Sequence, residues 1–297
     1  MQFLILGSEG QLGKALQKKL SALSIPFQSF SRKDLNIEDI TQIKKLFSGL
    51  NFDLVINCAA YTSVDAAEQN IHAAFQTNEL GPKNLAVYCN DCSKKLIHIS
   101  TDFVFDGNKN SPYVPEDATS PINIYGSSKL AGEKHVIELC SKSLIIRTSW
   151  VFGGNGNNFF NTICRLAKKS AQISIVGDQI GTPTYVCDLA DAVIASSIKL
   201  TTYKGIKLES IYGTYHYAGN SACSWFDFAE YILNQGIFSK RFPSNILLKK
   251  IQTSEFNSLA TRPQYSALDS SSFCNIFSCK PSNWKKGVDE LFFNEAH

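Results

Sequence analysis

Two residues on one predicted helix carry the clearest chemical signal in this 297-residue sequence, Tyr125 and Lys129. Residues four apart on a helix lie on the same face. A lysine cation at that distance favours the phenolate and lowers the pKa of the phenol from its usual value of about 10. The pair could therefore act as a general acid–base unit near neutral pH. The alternative is a solvated tyrosine beside a solvated lysine, because many helices contain this spacing by chance.

A run of hydroxyl and carboxyl residues, Ser100-Thr101-Asp102, follows the apolar residues 95–99, which predict a buried strand. The end of such a strand would present its side chains to a pocket. Thr101 could donate a hydrogen bond to an oxygen on which negative charge develops, or its hydroxyl could be satisfied by the backbone. Asp102 could contact a substrate or cap a turn.

A glycine-rich turn near the N-terminus predicts a dinucleotide site. The apolar residues 2–6 lead into Gly7, Gly10 and Gly13, and residues 14–23 have helical periodicity. In this arrangement Gly7 permits the tight turn, Gly10 the close approach of a pyrophosphate, and Gly13 the close packing of helix on strand. The N–H groups at the start of the helix suit phosphates. A glycine-rich loop that binds nothing is the alternative.

These groups need a scaffold, and the first half of the chain predicts one by alternating strands and helices. The predicted strands are 2–6, 26–30, 54–58, 95–100 and 143–148, and the predicted helices are 10–23, 37–48, 65–70, 73–92 and 125–140. Such alternation indicates a parallel sheet covered by helices on both faces. Further along, residues 106–121 and 153–158 predict loops, and residues 159–169, 188–200 and 225–235 predict helices.

Together these features resemble the extended short-chain dehydrogenase/reductase family, and more narrowly the dTDP-4-dehydrorhamnose reductase family. The segments that carry the narrower resemblance are 57–68, 100–107, 125–133, 147–152, 178–184 and 262–269. The last two lie outside the generic cofactor-binding half and are therefore the most specific. The resemblance runs from residue 2 to about residue 290.

The resemblance implies an α/β fold, a Rossmann-type doubly wound parallel sheet with a smaller C-terminal α/β substrate domain. The dinucleotide-binding domain would comprise residues 1–155, with about 183–220 returning to it, and the substrate domain residues 156–182 and 221–297. The implied activity is NAD(P)H-dependent reduction of the 4-keto group of dTDP-4-dehydro-6-deoxy-L-mannose (dTDP-4-dehydrorhamnose) to dTDP-L-rhamnose. Its product would serve cell-surface polysaccharides such as lipopolysaccharide or O-antigen.

The resemblance also implies residue roles, with Tyr125 as proton donor, Lys129 on the nicotinamide ribose and Thr101 at the developing alkoxide. Cofactor contacts are implied for Gly7, Gly10, Gln11, Leu12, Gly13, Ser31, Arg32, Asp34, Leu35, Ala59, Ala60, Tyr61, Tyr125 and Lys129. Substrate contacts are implied for Thr101, Asp102, Trp150, Asn158, Gln179 and Arg262. Trp150 could instead be a core residue, and Arg262 could form a surface ion pair rather than bind a diphosphate.

The end of the second predicted strand bears on the choice between NADH and NADPH. An acid there accepts hydrogen bonds from the ribose hydroxyls of NAD, whereas an arginine suits the 2′-phosphate of NADP. This chain has Ser31 followed by Arg32. The sequence therefore favours NADPH and leaves NADH possible.

Two other functions fit the same motifs. One is a ketoreductase that acts on another nucleotide-linked 4-keto-6-deoxysugar, because stereochemistry depends on the shape of the pocket. The other is a non-catalytic NADP-binding regulatory subunit, as in methionine adenosyltransferase, whose regulatory subunit resembles the same family. Intact Thr101, Tyr125 and Lys129 favour an enzyme.

Composition narrows the class of protein further. Hydrophobic residues make up 44% and charged residues 19%, an ordinary globular balance, and the net charge of +3 is too small to argue for nucleic acid. No apolar run reaches the roughly 18 residues of a membrane span, and no secretory signal precedes the first strand. We therefore expect a cytoplasmic protein with reduced thiols, which could form a homodimer.

No metal site is expected from the spacing of the 9 cysteines and 5 histidines. Cys89 and Cys92 have metal-ligand spacing, but no second pair lies near them in the sequence, and we interpret them as helix-end thiols. A magnesium requirement at the C-terminal acids is possible but is not readable from the sequence.

Overall fold

The computed structural model of this protein describes residues 1–154, 156–203 and 211–293. Its strands are β1 Phe3–Leu6, β2 Phe27–Phe30, β3 Leu54–Asn57, β4 Lys95–Thr101, β5 Ser143–Thr148, β6 Val151–Phe152, β7 Gln172–Val176, β8 Ile180–Gly181, β9 Thr184–Tyr185, β10 Gly213–His216, β11 Cys223–Ser224 and β12 Leu247–Ile251. Six of them form a wholly parallel sheet in the order β10-β5-β4-β3-β1-β2. The order reverses beside β1, and ligands of doubly wound sheets bind in the crevice at such a reversal.

Helices cover both faces of this sheet. In chain order they are α1 Gln11–Ala22, α2 Ile40–Phe47, α3 Val64–Gln69, α4 Ile71–Phe75, α5 Gly81–Asp91, α6 Ile124–Leu139, α7 Phe159–Ala167, α8 Val186–Thr202, α9 Trp225–Phe238, α10 Ser271–Phe277 and α11 Trp284–Phe293. Successive residues of a strand point to opposite faces. Accordingly, Phe3 and Ile5 of β1 pack in the core layer of α1 and α8, whereas Leu4 and Leu6 pack in the layer of α5.

A third hydrophobic cluster lies among the later elements. It contains Phe152, Phe228 and Trp284, and it draws side chains from α7, α9 and α11. The remaining strands pair in twos, β7 with β12, β8 with β11, and β6 with β9. None of the helices within the described ranges is long and apolar enough to cross a membrane.

The Rossmann-type α/β class is confirmed, and the five strands predicted in the first half are all present within two residues of their expected ends. The predicted helix 73–92 contains a π-helical turn, Gln76–Leu80, between α4 and α5. The loops 106–121 and 153–158 are confirmed where the structure describes them, since Asn155 lies outside the described residues.

The sequence did not predict β6 to β12, α10 or α11, because four of those strands have only two residues and carry no periodicity. One of them, β10, extends the central sheet beside β5. The division into two domains stays a prediction, and its residues 155, 204–210 and 294–297 lie outside the described part of the chain.

Candidate active site

Helix α6 carries Tyr125 and Lys129 and is pressed closely against its neighbours. Asn123 caps it, accepting a hydrogen bond from the Gly126 N–H at 2.8 Å. A Cβ on Gly126 would lie 2.1 Å from the carbonyl oxygen of Phe103, so only glycine allows this approach. The rings of Phe103 and Tyr125 then meet edge to face, with centroids 5.6 Å apart. The tight contact fixes Tyr125 beside the residues that follow β4.

Lys129 is 1% exposed, and its side chain extends to the backbone of β4. Its Nζ donates to the carbonyl oxygen of Ile99 at 2.7 Å and lies 3.4 Å from Nε2 of His98. Burial lowers the pKa of Lys129 to about 8, opposed by the nearby Glu133 and Cys58. The ammonium form therefore begins to lose its proton near neutral pH.

The expected lowering of the Tyr125 pKa by Lys129 is wrong for this structure. Enclosure of the phenol raises its pKa to about 12, the hydroxyl of Thr101 opposes this rise, and the carboxyl of Asp102 adds to it. Desolvation disfavours a phenolate, and the ammonium of Lys129 is directed at Ile99 instead. Tyr125 is consequently a neutral phenol throughout the physiological pH range.

Thr101 and Asp102 lie at the C-terminal end of β4, next to Tyr125. The Thr101 hydroxyl donates to Oδ1 of Asp102 at 3.0 Å and accepts from the Phe103 N–H at 3.2 Å, so Thr101 rather than Asp102 caps the turn Asp102–Val104. Burial raises the pKa of Asp102 to about 6, opposed by the hydroxyls of Ser266 and Thr101. The structure thus brings Thr101, Asp102 and Tyr125 together.

The glycine turn after β1 forms one wall of a cavity of about 210 Å³. Gly7 has a φ of +78°, and a Cβ on Gly13 would lie 2.3 Å from the Gly7 carbonyl oxygen. These two glycines therefore hold the turn and the start of α1 together. Among the predicted cofactor residues, the cavity is lined by Gly7, Gly10, Ser31, Arg32, Leu35, Ala59 and Ala60. Their convergence fits the adenosine and phosphates of a dinucleotide.

The residues after β2 form two side-chain pairs at the rim of this cavity. Ser31 donates through its N–H and its hydroxyl to Asp34, at 2.8 and 2.7 Å. Arg32 is exposed and pairs with Glu38 at 3.1 Å. Glu38 also accepts from the Thr77 hydroxyl at 2.7 Å, which fixes its carboxylate at the cavity.

Three further predicted cofactor residues lie near the turn. Gln11 accepts from the Asn158 amide at 2.7 Å, and Leu12 is buried in the core. The backbone of Tyr61 is held by Asn78, whose side chain accepts from its N–H at 2.8 Å and donates to its carbonyl at 3.0 Å. Asn78 is therefore a buried support of this loop.

A second cavity of about 210 Å³ holds two of the predicted substrate residues, Gln179 and Arg262, together with the rings of Phe159, Trp225 and Phe256. Trp150 stacks on Trp225 with centroids 3.4 Å apart and planes within 7°. Trp225 therefore gives the cavity an aromatic wall, backed by Trp150. Such a wall suits a planar base, and the arginine suits a diphosphate.

The polar residues of the substrate side already have protein partners. Arg262 forms a bidentate pair with Asp65 of α3, at 2.7 and 3.2 Å, so the ion-pair alternative describes its state in this structure. Gln179 donates to the Thr253 hydroxyl at 3.1 Å. Asn158 caps α7, accepting from the Asn161 N–H at 2.9 Å. Substrate contacts by Arg262, Gln179 and Asn158 stay predictions.

Sequence reasoning missed several residues of the site. Asn57 and His98 are fully enclosed beside Lys129, Glu38 holds Arg32, and Trp225 stacks on Trp150. A polar residue within the apolar run 95–99 was a usable signal for His98, because an unpaired imidazole is costly inside a core. Trp225 gave no local signal, since its contact with Trp150 spans distant parts of the chain.

Within the described ranges, no group of three His, Cys, Asp or Glu side chains is arranged to hold a metal ion. Cys89 is buried and Cys92 exposed, and both are free thiols. The residues that the structure describes therefore lend no support to a magnesium site.

Comparison with known proteins gives one consistent result. The family described as RmlD substrate binding domain matches residues 1–296. A dTDP-4-dehydrorhamnose reductase of Aggregatibacter actinomycetemcomitans is 36% identical over 293 residues, 98% of each chain. The solved structure of a dTDP-4-dehydrorhamnose reductase from Bacillus anthracis in complex with NADP is 38% identical, with a TM-score of 0.88 over 99% of both chains. A dTDP-4-keto-6-deoxy-D-glucose reductase of Streptomyces niveus is 34% identical over 77% of this chain and 76% of its own.

Proposed function

Because the chain belongs to the dTDP-4-dehydrorhamnose reductase family, we propose that it reduces the 4-keto group of dTDP-4-dehydrorhamnose with NADPH to give dTDP-L-rhamnose. It is an oxidoreductase of dTDP-rhamnose synthesis. One observation carries the proposal: a full-length match to these reductases coincides with Thr101, Tyr125 and Lys129 gathered at the carboxyl edge of the sheet.

The protein groups account for the proton and charge movements of the reaction. NADPH, when bound, supplies the hydride to the ketone carbon. Tyr125 transfers its phenolic proton to the resulting alkoxide, which its raised pKa permits because the phenol stays protonated. The Thr101 hydroxyl would turn from Oδ1 of Asp102 and donate to the oxygen on which charge develops. Lys129, held by Ile99, would contact the nicotinamide ribose.

The cofactor cradle is supported by the tight turn at Gly7 and by the absence of a side chain at Gly13. Arg32 would pair with the 2′-phosphate of NADPH. Its guanidinium would then either contact Glu38 and the phosphate together or break its ion pair with Glu38. Gly10 is exposed and would face the pyrophosphate. The implied contacts of Gln11, Leu12, Asp34 and Tyr61 are part of the same proposal.

The second cavity would hold the thymidine diphosphate. Its stacked indoles would cover the base, and Arg262 would bind the diphosphate by turning from Asp65. Gln179 and Asn158 would complete the polar contacts, and Asp102 would contact the sugar.

The direct test is turnover of enzymatically prepared dTDP-4-dehydrorhamnose. NADPH oxidation that depends on this sugar, with dTDP-L-rhamnose as the product identified by NMR, would support the proposal. No oxidation with this sugar, under conditions where NADPH binds, would contradict it.

A second candidate is reduction of a different dTDP-4-keto-6-deoxysugar, favoured by the likeness to the Streptomyces niveus enzyme. A panel of 4-keto sugars in the same assay decides between the two by relative kcat/KM. Tight NADPH binding with no turnover of any member would instead favour the regulatory subunit.

Four finer features complete the proposal. NADPH should serve at least as well as NADH as the hydride donor, and turnover with and without added EDTA tests whether magnesium is needed. The protein should elute as a homodimer in size-exclusion chromatography with light scattering. Cell fractionation should place it in the cytoplasm.

A further inference from the structure

A buried chain of three polar side chains ends at Lys129. Nδ2 of Asn57 lies 3.1 Å from Nδ1 of His98, and Nε2 of His98 lies 3.4 Å from Nζ of Lys129. The exposed fractions of Asn57, His98 and Lys129 are 1%, 0% and 1%. Side chains so enclosed must satisfy one another, and their hydrogen atoms can therefore be counted.

The backbone fixes the first link of this chain. Oδ1 of Asn57 accepts from the N–H of Ala59 at 3.1 Å. A backbone N–H can only donate, so the amide oxygen must face Ala59 and the amide nitrogen must face His98. Nδ1 of His98 is then an acceptor and carries no proton.

The second link follows from the chemistry of imidazole. A neutral imidazole has one N–H, so with Nδ1 bare the proton lies on Nε2. That N–H points at Nζ of Lys129. If Lys129 were an ammonium, two hydrogen-bond donors would face each other with no acceptor between them. A neutral amine offers Nε2–H a lone pair and keeps a hydrogen for the Ile99 carbonyl at 2.7 Å.

We propose that Asn57 and His98 are positioning residues that present an N–H to Lys129, hold its side chain and favour its amine form. The expected effect on turnover rests on the proposed function, whereas the hydrogen-bond geometry does not depend on it. A lysine held this way can release and regain a proton near the working pH.

Other groups around Lys129 act on its charge as well. Cys58, which follows β3, and Glu133 on its own helix both favour the ammonium. Glu133 is also the bidentate partner of Arg147 on β5, at 2.7 and 3.0 Å, so much of its charge is already neutralised. Burial lowers the pKa of Lys129 to about 8 and that of His98 well below its usual range, so both shifts are toward the uncharged forms.

The tautomer of His98 can be measured directly on the wild-type protein by ¹⁵N NMR of labelled histidines, without substrate. His216 provides an internal control, because its Nδ1 lies 3.0 Å from the Tyr113 carbonyl and must donate to it. The described part of the chain has two fully buried histidines, and we expect opposite neutral tautomers, Nε2–H for His98 and Nδ1–H for His216. Two Nδ1–H signals, or an imidazolium at position 98, would overturn the proposal.

The effect on Lys129 is tested with His98→Gln, which removes the N–H and can turn a carbonyl oxygen to Nζ. We expect the Lys129 limb of the pH–rate profile to move up by about one pH unit or more. His216→Gln, the same change at a histidine bonded to Tyr113, should leave the limb in place. An unmoved limb in His98→Gln would contradict the proposal. If that variant does not fold, the wild-type tautomer still decides.

Discussion

At the scale of single residues, burial drives three groups of the site toward their uncharged forms. The pKa of Tyr125 rises to about 12, that of Asp102 rises to about 6, and that of Lys129 falls to about 8. Desolvation acts on acids and bases in opposite directions and explains all three shifts. The site therefore receives its substrate with a protonated phenol already in place.

Tyr125→Phe tests that donor. The change removes the transferable proton and little packing, so kcat should fall by about 10²–10⁴-fold. The affinity for NADPH, measured by fluorescence titration, should change little. Turnover close to that of the wild type would exclude Tyr125 as the acid.

The raised pKa of Asp102 predicts how the free energy of unfolding changes with pH. Its pKa is about 6 when folded and 3.8 in the reference state, so the folded protein holds more protons between these values and loses stability as pH rises through them. Asp102→Asn should therefore raise the free energy of unfolding by about 1–3 kcal/mol at pH 7.5 and by much less at pH 4. Urea denaturation at both pH values measures this.

The matched control is Asp117, whose pKa is lowered by its hydrogen bond with Lys109. A carboxyl group whose pKa is lowered by folding stabilises the fold at pH values above its pKa in the unfolded chain. Asp117→Asn should therefore lower the free energy of unfolding at pH 7.5. The same sign for both variants would contradict the assignment.

Arg32 makes a prediction about cofactor choice. Arg32→Ala should raise the KM for NADPH by about tenfold and leave that for NADH nearly unchanged, since only a charge-assisted contact to the 2′-phosphate is lost. We expect the lower end of the usual range because Arg32 is exposed and Glu38 competes for it. Equal effects on both cofactors would show that Arg32 points away from the phosphate.

At the scale of elements, the site depends on how closely α6 approaches its neighbours. A Cβ on Gly132 would lie 2.1 Å from the carbonyl oxygen of Asn78, the residue that holds the Tyr61 loop. Backbone cannot move aside as a flexible side chain can, so α6 would have to shift outward and carry Lys129 with it.

Gly132→Ala should therefore lower the free energy of unfolding by about 1–3 kcal/mol and reduce NADPH affinity. Gly49→Ala is the control, because its nearest atom, the carbonyl oxygen of Leu46, would be 3.9 Å from the new Cβ. Thermal denaturation should separate the two variants, and equal melting temperatures would show that α6 tolerates the shift.

The elements also show which parts of the fold were open to prediction from sequence. The strands of the first half, such as β1 and β3, are short and mostly apolar runs, and the first of them ends at Gly7. The later pairs, such as β8 with β11, are held by partners far along the chain. Local periodicity carries no information about such contacts, and the same holds for Trp225 on Trp150.

At the scale of the whole molecule, two cavities flank the carboxyl edge of the sheet, one lined by the glycine turn and one by aromatic rings. The Asp65–Arg262 pair links residues 197 positions apart across this region. The aromatic cavity is lined by residues between 159 and 262, and this pair connects its Arg262 to α3.

The tryptophan that lines the aromatic cavity predicts a change in fluorescence when a ligand binds there. Binding of dTDP alone should quench tryptophan fluorescence, because Trp225 lines the cavity and stacks on Trp150. Trp225→Phe should lose most of the quenching, whereas Trp284→Phe should retain it, since Trp284 is buried in the third core cluster. Quenching unaffected by Trp225→Phe would place the base elsewhere.

The position of β10 has a consequence for synthesis on the ribosome. Strand β5 pairs with β4 on one side and with β10 on the other. Until residue 216 emerges from the exit tunnel, the backbone of β5, with its apolar Leu144 and Ile146, is an open sheet edge on the nascent chain. Open apolar edges recruit other strands. Translation pauses before this point should therefore increase aggregation, and pauses after it should be harmless.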